Sequence, residues 1–130
     1  MVIASLIGGA IFVGTDLIDR QIPTITIIRS PKALGKEPKQ VEIKFDDANS
    51  GLAGYSVRYE YRNKIHDLYR INLNGEKSYQ ANLDIDLQKL KIDKGIINFM
   101  IRVYDKSVFS NSTVQELSLS VDMDAPKIIN

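Results

Sequence analysis

From Ile22 onward apolar and polar side chains alternate one for one, a period that lets a strand bury one face and that no helix can use. Ile25 and Ile27 alternate with Thr24 and Thr26, and Val41, Ile43 and Phe45 with Glu42 and Lys44. Tyr55, Val57, Tyr59 and Tyr61 alternate with Ser56, Arg58, Glu60 and Arg62. Tyr69, Ile71 and Leu73 repeat the pattern, as do Ala81, Leu83 and Ile85. Ile97, Phe99, Ile101 and Val103 form a sixth run, and Leu117, Leu119 and Val121 a seventh. Each run has one apolar and one polar face, as in antiparallel sheets packed on one side. Turn signals separate the runs: Ser30-Pro31 with Gly35 to Pro38, then Asn49-Ser50-Gly51, then Asn74-Gly75. Asp93-Lys94-Gly95 precedes the sixth run, and Ser107 to Thr113 separates the last two. Asn74-Gly75 reads as a hairpin joining the fourth and fifth strands. Leu83, Leu87 and Leu90 also have helical spacing, but Leu83-Asp84-Ile85-Asp86-Leu87 alternates, and the segment reads as a strand. The pattern predicts an all-β fold, an antiparallel β-sandwich of about seven strands. Its expected core comprises Ile27, Val41, Ile43, Phe45, Val57, Tyr59, Leu83, Ile85, Phe99, Ile101, Val103, Leu119 and Val121.

Composition narrows the function. The chain has 130 residues, enough for one domain with a core of its own. Seventeen basic and sixteen acidic side chains leave a net charge of +1, which argues against a nucleic-acid partner. The absence of Cys excludes disulfides, thiolate zinc sites and thiol nucleophiles. A single His, His66, leaves too few ligands for a zinc hydrolase. His66 sits among Asn63, Lys64 and Asp67 and reads as an exposed loop residue. No catalytic residue and no cofactor are expected.

Residues 1–13 carry no charge, and the first charged side chain is Asp16. Counted to Ile18, the run reaches the lower length limit of a membrane helix. No convincing small-x-small cleavage site follows, which favours an anchor over a cleaved signal. Residues 1–18 are therefore expected to anchor or export the chain and to place the body outside the cytoplasm. Asp19 to Ile25 is echoed by Asp122 to Ile128, each an acidic residue, a Pro and an Ile two positions on. The echo predicts one domain over 19–124, with a linker or further module opening at 125–130.

Four segments then carry a family resemblance. Asp46-Asp47-Ala48-Asn49-Ser50-Gly51-Leu52 resembles the D-x-x-SGL turn of bacterial immunoglobulin-like domains. Leu90 with Asp93-Lys94-Gly95 resembles the segment opening their sixth strand. Val103-Tyr104-Asp105-Lys106-Ser107 with Asn111 resembles their V-x-D-x-S…N loop. Val121-Asp122 before Ala125-Pro126 resembles their exit into the next module. The order is also similar to the N-terminal accessory region of membrane-anchored, lysostaphin-type murein endopeptidases. That resemblance implies an immunoglobulin-like sandwich in an extracytoplasmic, cell-envelope protein. It implies other envelope domains, peptidoglycan, and the membrane through residues 1–18 as partners. The zinc motifs of those enzymes, His-x-x-x-Asp and His-x-His, are absent here, so no catalytic residue carries over. An adhesion or carbohydrate-binding module and a calcium-stiffened spacer are the rival readings.

Oxygen-bearing side chains supply the remaining candidates. Asp47, Asn49 and Gly51 open like a calcium loop, but Val57 stands where the bidentate Glu belongs. The favoured reading is a tight turn in which Asp47 and Asn49 bond backbone amides and Gly51 supplies positive φ. Asp105 with Asn111, and Asp122 with Asp124, are the further calcium candidates. Asn49, Ser50 and Gly51 form the structural turn, and Gly51→Val is expected to cost about 1–3 kcal/mol. Tyr55, Tyr59 and Tyr61 share a face with Val57 and read as core packing rather than as a sugar-stacking strip.

Overall fold

The computed structural model describes residues 22–108 and 110–123. The expected anchor at 1–18, Asp124 and the segment 125–130 lie outside the described residues. Among the described residues no helix is long and apolar enough to cross a membrane.

Among the described residues there are eight strands and one helical turn. They are β1 (Thr24–Arg29), β2 (Ala33–Leu34), β3 (Lys39–Asp46), β4 (Leu52–Tyr61) and β5 (Lys64–Asn72). After them come β6 (Ser78–Ile85), the helix α1 (Leu87–Leu90), β7 (Lys94–Asp105) and β8 (Ser112–Asp122). One sheet has the order β1-β3-β6 and the other β2-β8-β7-β4-β5. All pairings are antiparallel except β2 with β8.

The alternating apolar faces meet between the sheets. Val41, Ile43 and Phe45 of β3 and Leu83 and Ile85 of β6 are almost fully buried. Val57, Phe99, Ile101 and Val103 close on them from β4 and β7. The Phe45 and Tyr55 rings touch across the gap at 4.6 Å, so the aromatic residues join the two layers. Every expected core residue lies in this cluster, though Ile27, on the edge strand β1, and Val121, near the end of β8, are only partly buried.

Four local expectations are corrected. An eighth strand, Ala33–Leu34, lies inside the stretch that reads as a turn. Two residues are too few to show a period, yet Leu34 is buried and pairs with Val121. The β4–β5 hairpin turns earlier than expected, at Arg62-Asn63, where both residues are left-handed at φ 53° and 65°. His66 accordingly lies on strand β5, with its ring stacked on Tyr59 at 4.8 Å, and not in a polar turn. Asn74-Gly75 makes no hairpin, because β5 and β6 belong to different sheets and the dipeptide carries the chain between them. The strand expected across Leu83 to Ile92 ends at Ile85. Asp86 accepts a bond from the Gln88 amide and caps α1, which buries Leu87 before Lys91 ends it in the left-handed region.

Candidate functional site

Two of the segments singled out in the sequence meet at one end of the sandwich. Asp47 follows β3, and its Oδ1 accepts the amides of Asn49 at 3.0 Å and Ser50 at 3.2 Å. Gly51 then takes φ +85°, and its carbonyl accepts the Lys106 amide at 2.9 Å. A Cβ on Gly51 would stand 2.3 Å from the Gly75 carbonyl oxygen, so the turn is closed to any side chain. Asp105, at the end of β7, accepts the Ser107 amide and hydroxyl on Oδ1 and the Asn111 amide nitrogen on Oδ2. The Asn111 carbonyl in turn accepts the Asp105 amide at 2.9 Å. Each Asp thus fixes its own loop, and the backbone bond from Lys106 to Gly51 ties the loops together.

Both carboxylates are deeply buried, Asp47 at 4% exposure and Asp105 at 1%. Asp47 Oδ2 and Ser50 Oγ are buried with no hydrogen-bond partner among the described residues. Burial is the chief cause holding the Asp47 carboxyl above the usual aspartate range, and the facing Asp105 carboxyl pushes it the same way. The amides of Asn49 and Ser50 pull in the opposite direction. Of the calcium candidates, Asp47, Asn49 and Asp105 share this end. Asp122 pairs with Lys94, at the opposite end of β7. Among the described residues no cluster of three or more His, Cys, Asp or Glu side chains is placed to hold a metal ion.

The Tyr strip on β4 faces inward. Tyr55 and Tyr59 are buried, while Tyr61 is part-exposed and its hydroxyl donates to the Lys94 carbonyl at 2.5 Å.

A second site occupies the outer face of the larger sheet, where the sequence reads only as solvated polar positions. A shallow, open groove of about 530 Å³ lies there. Its floor is low because β4 offers the small Ser56 between larger neighbours. Ser56 pairs with Arg70 of β5 on one side and Arg102 of β7 on the other. Arg58 lies one outward position further along β4, and its Nε donates to Asp67 Oδ1 at 2.8 Å. The Arg70 guanidinium lies over the Tyr104 ring, 5.2 Å from its centre. Arg102 has no ion-pair or hydrogen-bond partner among the described residues. Met100 and Val114 complete an apolar wall. Three guanidinium groups and one carboxylate, Asp67, line the groove, with Glu116 beside Met100 and Glu60 beyond Arg58 on the same face of the sheet. The arginines are visible in the sequence as outward positions, but their convergence depends on β4 lying between β5 and β7.

Neither a family model nor a curated protein matches the chain.

Proposed function

We infer that this chain is a non-catalytic, extracytoplasmic binding or accessory module of a bacterial cell-envelope protein, placed at the N-terminal side of a murein endopeptidase of the lysostaphin type. One observation carries the reading. The D-x-x-SGL and V-x-D-x-S…N segments, distant in sequence, close on each other through two buried aspartates and the Lys106–Gly51 bond. A turn and a loop that need each other in this way support reading them as parts of one immunoglobulin-like design rather than as chance matches. The strand order supports it too: β2-β8-β7-β4-β5 beside β1-β3-β6 is compatible with an immunoglobulin-like sandwich that carries added edge strands. The apolar start of the chain supports a place at the membrane.

Two measurements test the reading. Fractionation of cells making the full chain should find it in the membrane or exported fraction. Purified peptidoglycan should retain it in a pull-down. A chain found free in the cytoplasm, or one that peptidoglycan does not retain, overturns the reading. Melts with calcium and with chelator address the spacer alternative, since an ion bound only by the native state raises stability.

A further inference from the structure

We propose that the arginine groove on the outer face of the larger sheet is a binding site for a peptide bearing free carboxylates. The proposal rests on the reading of the domain as a binding module and adds to it the site and the ligand class.

Charge and shape both select the ligand. Arg70 and Arg102 flank Ser56 from neighbouring strands, so their α-carbons lie about 10 Å apart across the floor. Their side chains are long enough to lean over that floor. Alternate side chains of an extended peptide are about 7 Å apart, which lets two successive carboxylates meet one guanidinium each. The planar fork of Arg accepts a carboxylate through two parallel hydrogen bonds, a geometry Lys lacks. Arg102 is the anchor, because no acid in the described residues engages it. Arg70 is steadied by the Tyr104 ring, which holds the cation without neutralising it. Arg58 is held in reserve by Asp67, which a ligand carboxylate would have to displace.

The apolar lining favours a peptide over an acidic glycan. A sugar ring commonly stacks on a flat, open aromatic face, and here Arg70 already lies over the Tyr104 ring. Met100 and Val114 offer instead the irregular, adaptable contact that aliphatic side chains of a peptide fit.

The test is a titration of the full chain with hexaglutamate, with hexaglutamine as the neutral control and polygalacturonate as the acidic glycan. Hexaglutamate is expected to bind, more weakly as salt rises, and hexaglutamine not to bind. Arg102→Gln and Arg70→Gln are each expected to weaken binding by about tenfold, the loss of one charge-assisted pair. Asp67→Asn is expected to tighten it, because it frees Arg58; a misfolded variant cannot produce that sign. Absence of hexaglutamate binding, or binding that Arg102→Gln leaves unchanged, overturns the site. Tighter binding of polygalacturonate than of hexaglutamate overturns the ligand class. The broader reading fails separately. A chain that binds hexaglutamate through these arginines but is not retained on peptidoglycan keeps the groove and loses the envelope role. A chain that peptidoglycan retains but that binds no hexaglutamate keeps the role and loses the groove.

Discussion

Replacing Gly51 with Ala tests the turn on which the two aspartate loops converge. Gly51 has φ +85°, where a residue with a Cβ loses about 1–2 kcal/mol. The added methyl group would also lie 2.3 Å from the Gly75 oxygen and 2.9 Å from its carbonyl carbon. Both are backbone atoms, so no side chain can swing away and one of the two strands of chain must move. Three bonds lie in the path of that movement: Lys106 amide to Gly51 carbonyl, Leu52 amide to Glu76 carbonyl and Gly75 amide to Leu52 carbonyl, each at 2.9 Å. Losing one or two, at about 0.5–1.5 kcal/mol net each, brings the total to about 2–4 kcal/mol. For a domain of this size that lowers the melting temperature by on the order of 10 °C. The steric contact raises the figure above the cost expected from the left-handed backbone alone. Ser50→Ala is the control. Its hydroxyl is buried without a partner among the described residues, so removal should be neutral or stabilising, since an unsatisfied buried group costs about 1–3 kcal/mol. Urea melts of the full chain decide between the two. A Gly51→Ala variant as stable as the wild type, or a Ser50→Ala variant that is the weaker of the pair, refutes the argument.

Three further outcomes are expected. Asp47 binds its proton more tightly in the native state than in the unfolded one, so its contribution to stability is complete below the ordinary value of 3.8 and is lost as pH rises through the raised native value. Asp47→Asn keeps the turn-forming oxygen and removes that loss, so its stability relative to wild type should rise across this window in melts at stepped pH; a constant difference between the two contradicts the burial argument. Asp105→Ala strands the Ser107 and Asn111 donors and should cost about 2–4 kcal/mol in the same assay, well above the half kilocalorie or so of an ordinary surface change. Leu34→Ala, in a strand of only two residues, should still cost about 2–4 kcal/mol by differential scanning calorimetry, because Leu34 is 1% exposed; a loss under about 1 kcal/mol means that β2 is not part of the core.

How far the fold can be read from the sequence depends on how many residues carry the signal. Val41, Ile43 and Phe45, or Ile97 to Val103, repeat often enough for the period to declare a strand. Ala33–Leu34 holds a single buried position and has no period at all. The Arg62-Asn63 turn is silent because neither residue is Gly, although Asn tolerates the left-handed region and Arg62 lies over the Tyr61 ring. The segment after Ile85 satisfies a period of two and of 3.6 at once, and the cap at Asp86 decides for a helical turn. Asp47 and Gly51 are legible as a turn because their chemistry is local. The arginine groove is not, because Arg58, Arg70 and Arg102 become neighbours only when the order of the strands is known.

The parallel pairing of Ala33–Leu34 with Ser120 and Val121 also sets when the domain can be finished. Strands β3 and β4 leave the ribosome early, but β7 has no partner on its outer side until β8 has been made, and β2 has none until the last residues of β8 arrive. The larger sheet therefore grows from its β4–β5 side towards β2, with a free edge exposed throughout synthesis. Long-range closure of this kind makes for slow, cooperative folding rather than strand-by-strand assembly. A chain interrupted before Val121 would keep most of its apolar core residues and still present an unpaired, sticky edge to its neighbours.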